Sequence, residues 1–300
     1  MSQRKEEDEK RKKIVEERFA KIESKVDFLL DEVSQLRSLV RHLAGDTIQD
    51  WPILWATRES FDYQWRNLPE GEEMPSNPAW KAECGKRILR FTGLPADWFA
   101  GKKVMDAGCG LGRWTYGFGT LGVGSCTSFD ISDSGVARTR ELAAPFGAAF
   151  TVERKNILED LGLPLDYDLV WCYGVLHHTG NTYKGFQNIA KCVKPGGYLS
   201  LMLYGEPRFD HPEDYDYHHE MFTVRKDLRN LPFEEKVRRL EAVYGKEKLH
   251  GYFDAISPEI NDLYRFDEIQ RWLIGAGFED IKRTWPEHPN HHVVARRKIG

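Results

Sequence analysis

From Val15 the apolar positions run Val15, Phe19, Ile22, Val26, Leu29, Val33, Leu36, Val40 and Leu43, in alternating steps of four and three. An unbroken period of seven residues in two turns predicts a left-handed coiled coil. Phe19, Val26, Val33 and Val40 take the a positions, and Val15, Ile22, Leu29, Leu36 and Leu43 the d positions. Mostly β-branched a residues with mostly leucine at d favour a parallel homodimer through residues 15–43. Across that seam Arg18 meets Glu23 and Glu32 meets Arg37, both attractive pairs. Leu30 and Leu39 are extra apolar positions that widen the seam toward a trimer or tetramer, or pack on the body of the protein. The alternative is one amphipathic helix lying on its own domain. At about 1.5 Å per residue the coil spans roughly 45 Å. "AGD", Ala44 to Asp46, ends it with a C-cap glycine.

The period then changes. Residues 46–100 form an aromatic and polar connector, "WPILWATRESFDYQWRNL", a loop "EGEEMPSNP" and a helix "PAWKAECGKRILRFTGL". From residue 101 short apolar runs alternate with amphipathic stretches. "KKVMDAG", "SCTSFDIS", "AAFTVERKNI", "YDLVWCYGVLH" and "KPGGYLSLMLYG" read as strands, most of them separated by helical segments. Such alternation predicts an α/β fold with a parallel sheet covered on both faces. Residues 206–262 interrupt it with an aromatic, acidic, histidine-rich stretch and the helix "PFEEKVRRLEAVYG". The helix, turn and strand of "FDEIQRWLIGAGFEDIKRTW" resume it, and "NHHVVARR" is a last strand. An insertion at that point sits over the strand ends, where a substrate lid belongs. The chain is thus read as a coil at 1–45, a connector at 46–100 covering a ligand site, and a domain at 101–300 with its lid at 206–262.

Composition narrows the class. The formal charge of -4 gives no basic footprint for nucleic acid. No apolar run is long enough to cross a bilayer. The charged start "MSQRKEEDEKRKK" lacks the apolar region of a signal peptide. The five cysteines, Cys84, Cys109, Cys126, Cys172 and Cys192, are scattered and contain no C-x-x-C pair. Neither a disulfide framework nor a zinc site is expected, and a cytoplasmic location is.

The chemistry starts at "VMDAGCGLGR". Gly108, Gly110 and Gly112 are spaced G-x-G-x-G, unlike the G-x-G-x-x-G of a dinucleotide loop. Asp106 ends the first strand inside that loop, where it would repel a pyrophosphate and suit a cation. Asp130 ends the second strand, 18 residues after Gly112, where a carboxylate accepts ribose hydroxyls. Asn156 follows the third strand, within reach of an adenine edge. Ribose, adenine, a positive charge and no phosphate describe S-adenosylmethionine.

With "FDIS", "KNI", "YDLVWCYGVLHHT" and "VKPGGYLSLMLYG" added, the chain resembles the class I SAM-dependent methyltransferases over about residues 85–204, and "FDEIQRWLIGAGFEDI" echoes the end of that fold. The resemblance implies a Rossmann-like seven-stranded sheet with helices on both faces. It implies that Asp106 and the backbone of Gly108, Cys109, Gly110 and Gly112 hold the methionine moiety. Asp130 would hold the ribose, Ile131 would pack on the adenine, Asn156 and Ile157 would bound it, and Tyr173 would line the end of the fourth strand. The aromatic segment "TRESFDYQWRNL" resembles one that folds over the cofactor in bacterial members, which points to Tyr63 or Trp65.

After the fourth strand stands "LHHTGN" rather than the Asn/Asp-Pro-Pro-aromatic motif of enzymes that methylate base amines and amides. His177 and His178 sit where the methyl group should emerge. A hydroxyl nucleophile needs a base, and imidazole titrates in the right range. Some natural-product sugar O-methyltransferases resemble the chain in carrying "LHH" here. Either histidine is therefore a candidate base, and the alternative is that both only stabilise the loop. In the lid, Tyr204, His211, Tyr215, Tyr217, His218 and His219, with Tyr252 and the acids Asp210, Asp214, Asp216 and Glu220, suit a saccharide acceptor. His288, His291 and His292 are placed at the rim or on the last strand. No metal is expected. The leading reading is methyl transfer to a hydroxyl of a sugar, in a bacterial surface polysaccharide or a glycosylated natural product, with the coil dimerising the enzyme or docking it to a biosynthetic complex. The alternatives are N-methylation of an amino sugar or small amine, and a coiled-coil scaffold with a degenerate SAM fold.

Overall fold

The computed structural model describes residue 13, residues 52–208 and residues 211–299. The chain divides into two compact units, Met1–Thr47 and Ile48–Gly300, and every element named below belongs to the second. The heptad segment 15–43, the oligomer expected from it and Asp210 lie outside the described residues. No described helix is long and apolar enough to cross a membrane.

Two helices precede the sheet, α1 (Pro52–Asn67) and α2 (Pro78–Thr92). Asn77 caps α2 by accepting hydrogen bonds from the amides of Ala79 and Trp80, and Gly93 ends it in the left-handed conformation. The sheet then builds outward and back through β1 (Lys103–Ala107), α3 (Arg113–Thr120), β2 (Ser125–Asp130), α4 (Asp133–Ala143), β3 (Phe150–Arg154), β4 (Tyr167–Tyr173), α5 (Thr182–Ala190) and β5 (Val193–Leu203). After the lid come α9 (Phe266–Gly275), β6 (Phe278–Arg283) and β7 (His291–Arg297). The strand order is β3-β2-β1-β4-β5-β7-β6, with β7 antiparallel to both neighbours. Order reverses between β1 and β4, so a crevice opens at the carboxyl ends of those two strands.

Alternation along β4 shows how the core divides. Leu169, Trp171 and Tyr173 face a layer built with Ile88, Phe99 and Phe118 from the α2 and α3 side. Val170 and Cys172 face the other layer, with Phe186 and Ile189 of α5 and Leu273 of α9. Trp171 is fully buried, stacks on Tyr173 at 3.7 Å and meets Trp114 edge-on at 5.2 Å.

The stretch read as a lid folds as a helical cap with its own small core. It contains α6 (Pro212–Leu228), α7 (Phe233–Tyr244) and α8 (Lys246–Ile256). Met221, Leu228, Leu240, Leu249 and Phe253 pack together there. Of these three helices only α7 carries a helical pattern in the sequence. In α6, Pro212 opens the first turn with Glu213 and Asp214, and Arg225 and Lys226 stand in the last turn, so both ends complement the helix dipole.

Candidate active site

A single cavity of about 1400 Å³ lies at the carboxyl ends of β1, β2, β4 and β5, roofed by α1, α6 and α8. Its first half is built on the glycine loop. Gly108, Cys109 and Gly110 border it, and the amides of Gly108 and Cys109 both donate to the Phe129 carbonyl at 2.8 and 2.9 Å. Asp130 closes the loop from β2: its Oδ2 accepts from the Gly110 amide and its Oδ1 from the Ser132 amide, each at 2.9 Å. Ile131, Asn156, Ile157 and Tyr173 also border the cavity. Asn156, however, uses its side chain on its own turn, accepting from the Leu158 amide and donating to Glu159, each at 3.0 Å.

Gly112 lies outside the cavity wall. At its φ of 82° an added Cβ would stand 2.9 Å from the Thr139 backbone, so the glycine lets α3 start close against α4.

Asp106 does not border the cavity either. It is sealed beneath the loop, where Thr115 donates to Oδ2 at 2.7 Å and Oδ1 has no partner among the described residues. Burial pushes its carboxyl up to about 7, against the Thr115 hydrogen bond, and the charge of Asp130 adds to the rise. Two acids under one loop make its floor electronegative.

The aromatic segment divides as well. Trp65 borders the cavity and covers Gly110 so closely that an added Cβ there would stand 3.1 Å from its ring. Asp62 fastens the same helix down, accepting from Ser132 and Ser134 at 2.9 Å each. Tyr63 points elsewhere, into the cap, against Phe233 at 4.8 Å and Phe253 at 5.9 Å.

The two loop histidines have unequal positions. His177 is fully buried, stands off the cavity and stacks on Tyr204 at 3.9 Å. Neither of its ring nitrogens finds a partner among the described residues, and burial, aided by His178, holds it well below the ordinary histidine range. His178 borders the cavity, and its Nδ1 donates to the Ile260 carbonyl at 2.9 Å. That bond fixes the neutral tautomer with its lone pair on Nε2. Yet Nε2 is itself sealed off, and burial lowers the ring to about 4.

The second half of the cavity belongs to the cap. Along α6, Tyr217, His218, Met221, Phe222 and Arg225 share the face that borders it, while Tyr215, Asp216, His219 and Glu220 lie off it. His211, outside the wall, pairs with Glu213 at 2.8 Å. Asp214 is committed to Arg208 at 2.6 Å. Tyr204 and Tyr252 border the cavity, as do His288 and His292, while His291 does not: its Nε2 donates to the Tyr264 carbonyl at 2.8 Å. Among the described residues no cluster of three or more His, Cys, Asp or Glu could hold a metal ion.

Arg113, His250 and Asp254 are among the bordering residues that the sequence pattern does not single out. His250 lies tilted against the Trp65 ring at 5.3 Å and so joins the cap to α1. Asp254 meets the Tyr204 hydroxyl at 3.4 Å. The signal for both was present. In "KEKLHGYFDAI", Leu249, Phe253 and Ile256 mark a buried face at helical spacing, which sets His250 and Asp254, four apart, side by side next to it.

The family described as "Methyltransferase domain" matches residues 79–283. An uncharacterised protein of Synechococcus is 26% identical over 210 residues, 62% of this chain and 50% of that protein. The mitochondrial ubiquinone biosynthesis O-methyltransferase of Schizosaccharomyces pombe is 25% identical over 193 residues, 62% of each chain. The chain therefore spans half to just under two thirds of the length of these relatives. Among solved structures, the magnesium protoporphyrin IX methyltransferase of Synechocystis PCC 6803 with bound S-adenosylhomocysteine is 17% identical, with a TM-score of 0.47 over 86% of this chain and 99% of that one.

Proposed function

The chain belongs to the methyltransferase-domain family, and we propose that it moves the methyl group of S-adenosylmethionine to a hydroxyl of a polar, saccharide-like acceptor. The observation that carries this reading is the continuity of one cavity between the glycine loop and the cap. Pockets for one drug-sized ligand run to about 300–1,000 Å³, so about 1400 Å³ leaves room for a cofactor and an acceptor together.

The chain's own groups fit the cofactor. Asp130 keeps lone pairs for ribose hydroxyls beyond the two amides it accepts from. Ile131 and Ile157 offer apolar walls for a base. Asp106 and Asp130 favour a cationic group over the loop, and the backbone of Gly108–Gly110 borders the cavity with Trp65 packed over Gly110. Bound there, S-adenosylmethionine supplies a methyl carbon activated by a sulfonium sulfur. Opposite it, the rings of Tyr204, Tyr217 and Tyr252 and the polar groups of His218 and Asp254 suit a polyhydroxylated acceptor, in a surface polysaccharide or a glycosylated natural product. The heptad segment 15–43 dimerises the enzyme or docks it to a biosynthetic complex; if it dimerises the enzyme, Leu29→Asp with Leu36→Asp should reduce the sedimenting mass, and an unchanged mass would refute dimerisation.

Calorimetry on the full chain should show binding of both S-adenosylmethionine and S-adenosylhomocysteine. Asp130→Ala should weaken both by about 10- to 100-fold, since hydrogen bonds to a charged group contribute about 1.5–3 kcal/mol. No heat from either ligand with the wild-type chain would end the proposal.

A further inference from the structure

We infer that Asp254 takes the proton of the acceptor hydroxyl, with Tyr204 and Arg113 as its positioning residues. The inference rests on the methyl-transfer reading above and replaces the histidine base that "LHH" suggests.

The geometry separates Asp254 from the histidines. His177 stands off the cavity, and the free nitrogen of His178 is sealed. Nε2 of His218 is sealed as well. Asp254 is half-buried on the cavity wall. Its Oδ2 accepts from the Tyr204 hydroxyl at 3.4 Å. Its Oδ1 accepts nothing among the described residues and is not one of the sealed atoms. A carboxylate with one oxygen anchored and the other open can receive a proton.

Arg113 holds the matching position on the far side. It is the first residue of α3, directly after Gly112, so it stands where the cofactor half meets the acceptor half. Its one ion-pair partner among the described residues is Glu73, at 3.8 Å. Its charge acts on Asp254, Tyr204 and His250.

Arg113 from α3, Tyr204 after β5 and Tyr217 from α6 interact with Asp254, and His250 and Tyr252 from its own helix border the same cavity. Burial pushes Asp254 up to about 6, while Arg113 and the Tyr204 bond pull it back. Near neutral pH it is therefore mostly ionised yet more basic than an ordinary carboxylate. Tyr204, raised far above its usual range by burial, stays protonated and donates.

The step balances. The acceptor O–H proton passes to Asp254 Oδ1. An oxygen lone pair forms the new O–CH₃ bond as the S–CH₃ bond breaks, and that electron pair stays on sulfur. The sulfonium becomes a neutral thioether, and Asp254 returns its proton to solvent.

The test uses the full chain with saturating S-adenosylmethionine and two probe acceptors sized for an aromatic-lined cavity. Phenol must lose its proton on the enzyme, whereas 4-nitrophenol is already ionised at about pH 8.5. Asp254→Asn should slow transfer to phenol by about 100-fold or more, the usual span of a general base, and transfer to 4-nitrophenolate by less than about threefold. With the wild type, the phenol rate should fall as pH drops through about 6. Tyr204→Phe removes a bond that favours the charged carboxylate, so it should move that acid limb upward. Equal slowing on both probes, no slowing on phenol, an unmoved limb in Tyr204→Phe, or a wild type that binds S-adenosylmethionine yet methylates neither probe each overturns the assignment. Absence of S-adenosylmethionine binding would instead remove the reading beneath it. S-adenosylhomocysteine affinity should be unchanged in Asp254→Asn.

Discussion

Between about pH 7.5 and pH 5 the domain should lose several kcal/mol of stability, through its buried neutral histidines. His177, His178, His291 and His292 are each under a tenth exposed. Burial lowers His178 and His291 to about 4 and His292 to about 3, with His177 lower still in direction. A ring whose folded pKa lies below its unfolded value of about 6.5 contributes stability that is full above 6.5 and is lost as pH falls toward the folded pKa. At pH 5 the loss is at most about 2 kcal/mol per ring, or about 8 kcal/mol for four.

Three raised carboxyls oppose it, and Asp130 among them is raised by burial. Asp106 at about 7 and Asp254 at about 6 are raised, so each adds stability as pH falls through that window. From pH 7.5 to pH 5 Asp106 and Asp254 return about 4 kcal/mol together, an upper figure because Asp254 is only half-buried. Over that window the histidines win against these two by about 4 kcal/mol, comparable with the whole stability of a marginal domain. Urea midpoints at the two pH values would measure it.

His292 provides the internal control. Both its nitrogens lack partners among the described residues, and its ring sits among Phe91 and Trp285 at 4.8 and 5.4 Å. His292→Phe should be close to neutral at pH 7.5 and recover about 2 kcal/mol at pH 5. A variant that parallels the wild type across the range, or a wild-type midpoint that does not move, would defeat this account.

The same histidines show where a linear reading runs out. "LHH" was legible as a loop after a strand, because strand and helix periods flank it and glycines punctuate it. Which histidine faces the cavity depends on the Ile260 carbonyl and the Tyr204 ring, 82 and 27 residues away in sequence. The loop from Asp106 to Gly112 and the acid Asp130 were legible because strand ends and turn glycines fix their places locally. Asp106 nevertheless turned out to lie under the loop instead of in it, held by Thr115 from the following helix.

In the cap the contrast is sharper. The polar and aromatic density of residues 211–222 disguised α6, whose apolar contacts come from α7 and α8 and not from the sheet. Tyr217 and His218 face the cavity and His219 does not, a distinction that the helical phase decides and composition cannot. Asp254 was passed over because a lone acid on a short helix carries no local signature. Its role arises only when β5 and α3 bring Tyr204 and Arg113 to it.

Gly108→Ala should be the most damaging single methyl group on the glycine loop. Gly108 has φ of 80°, and an added Cβ would lie 2.3 and 2.7 Å from the Cγ2 and Cγ1 atoms of Val175. The left-handed backbone costs a non-glycine residue about 1–2 kcal/mol. Overpacking costs about 1–3 kcal/mol more. Neither side can retreat cheaply. The amides of Gly108 and Cys109 are both tied to the Phe129 carbonyl, and the Val175 carbonyl accepts from the His178 amide at 3.0 Å. At about 2–4 °C per kcal/mol for a domain of this size, the melting temperature should fall by roughly 5–15 °C. S-adenosylhomocysteine binding should weaken in parallel, since the displaced backbone is the proposed cofactor floor. Val175→Ala separates the two terms. It removes both clashing methyl groups but leaves the dihedral strain. Gly108→Ala with Val175→Ala should therefore be less destabilised than the sum of the single variants, with a coupling of about 1–3 kcal/mol. Strict additivity would mean that the loop yields rather than the valine, and an unshifted melting temperature in Gly108→Ala would contradict the close approach itself.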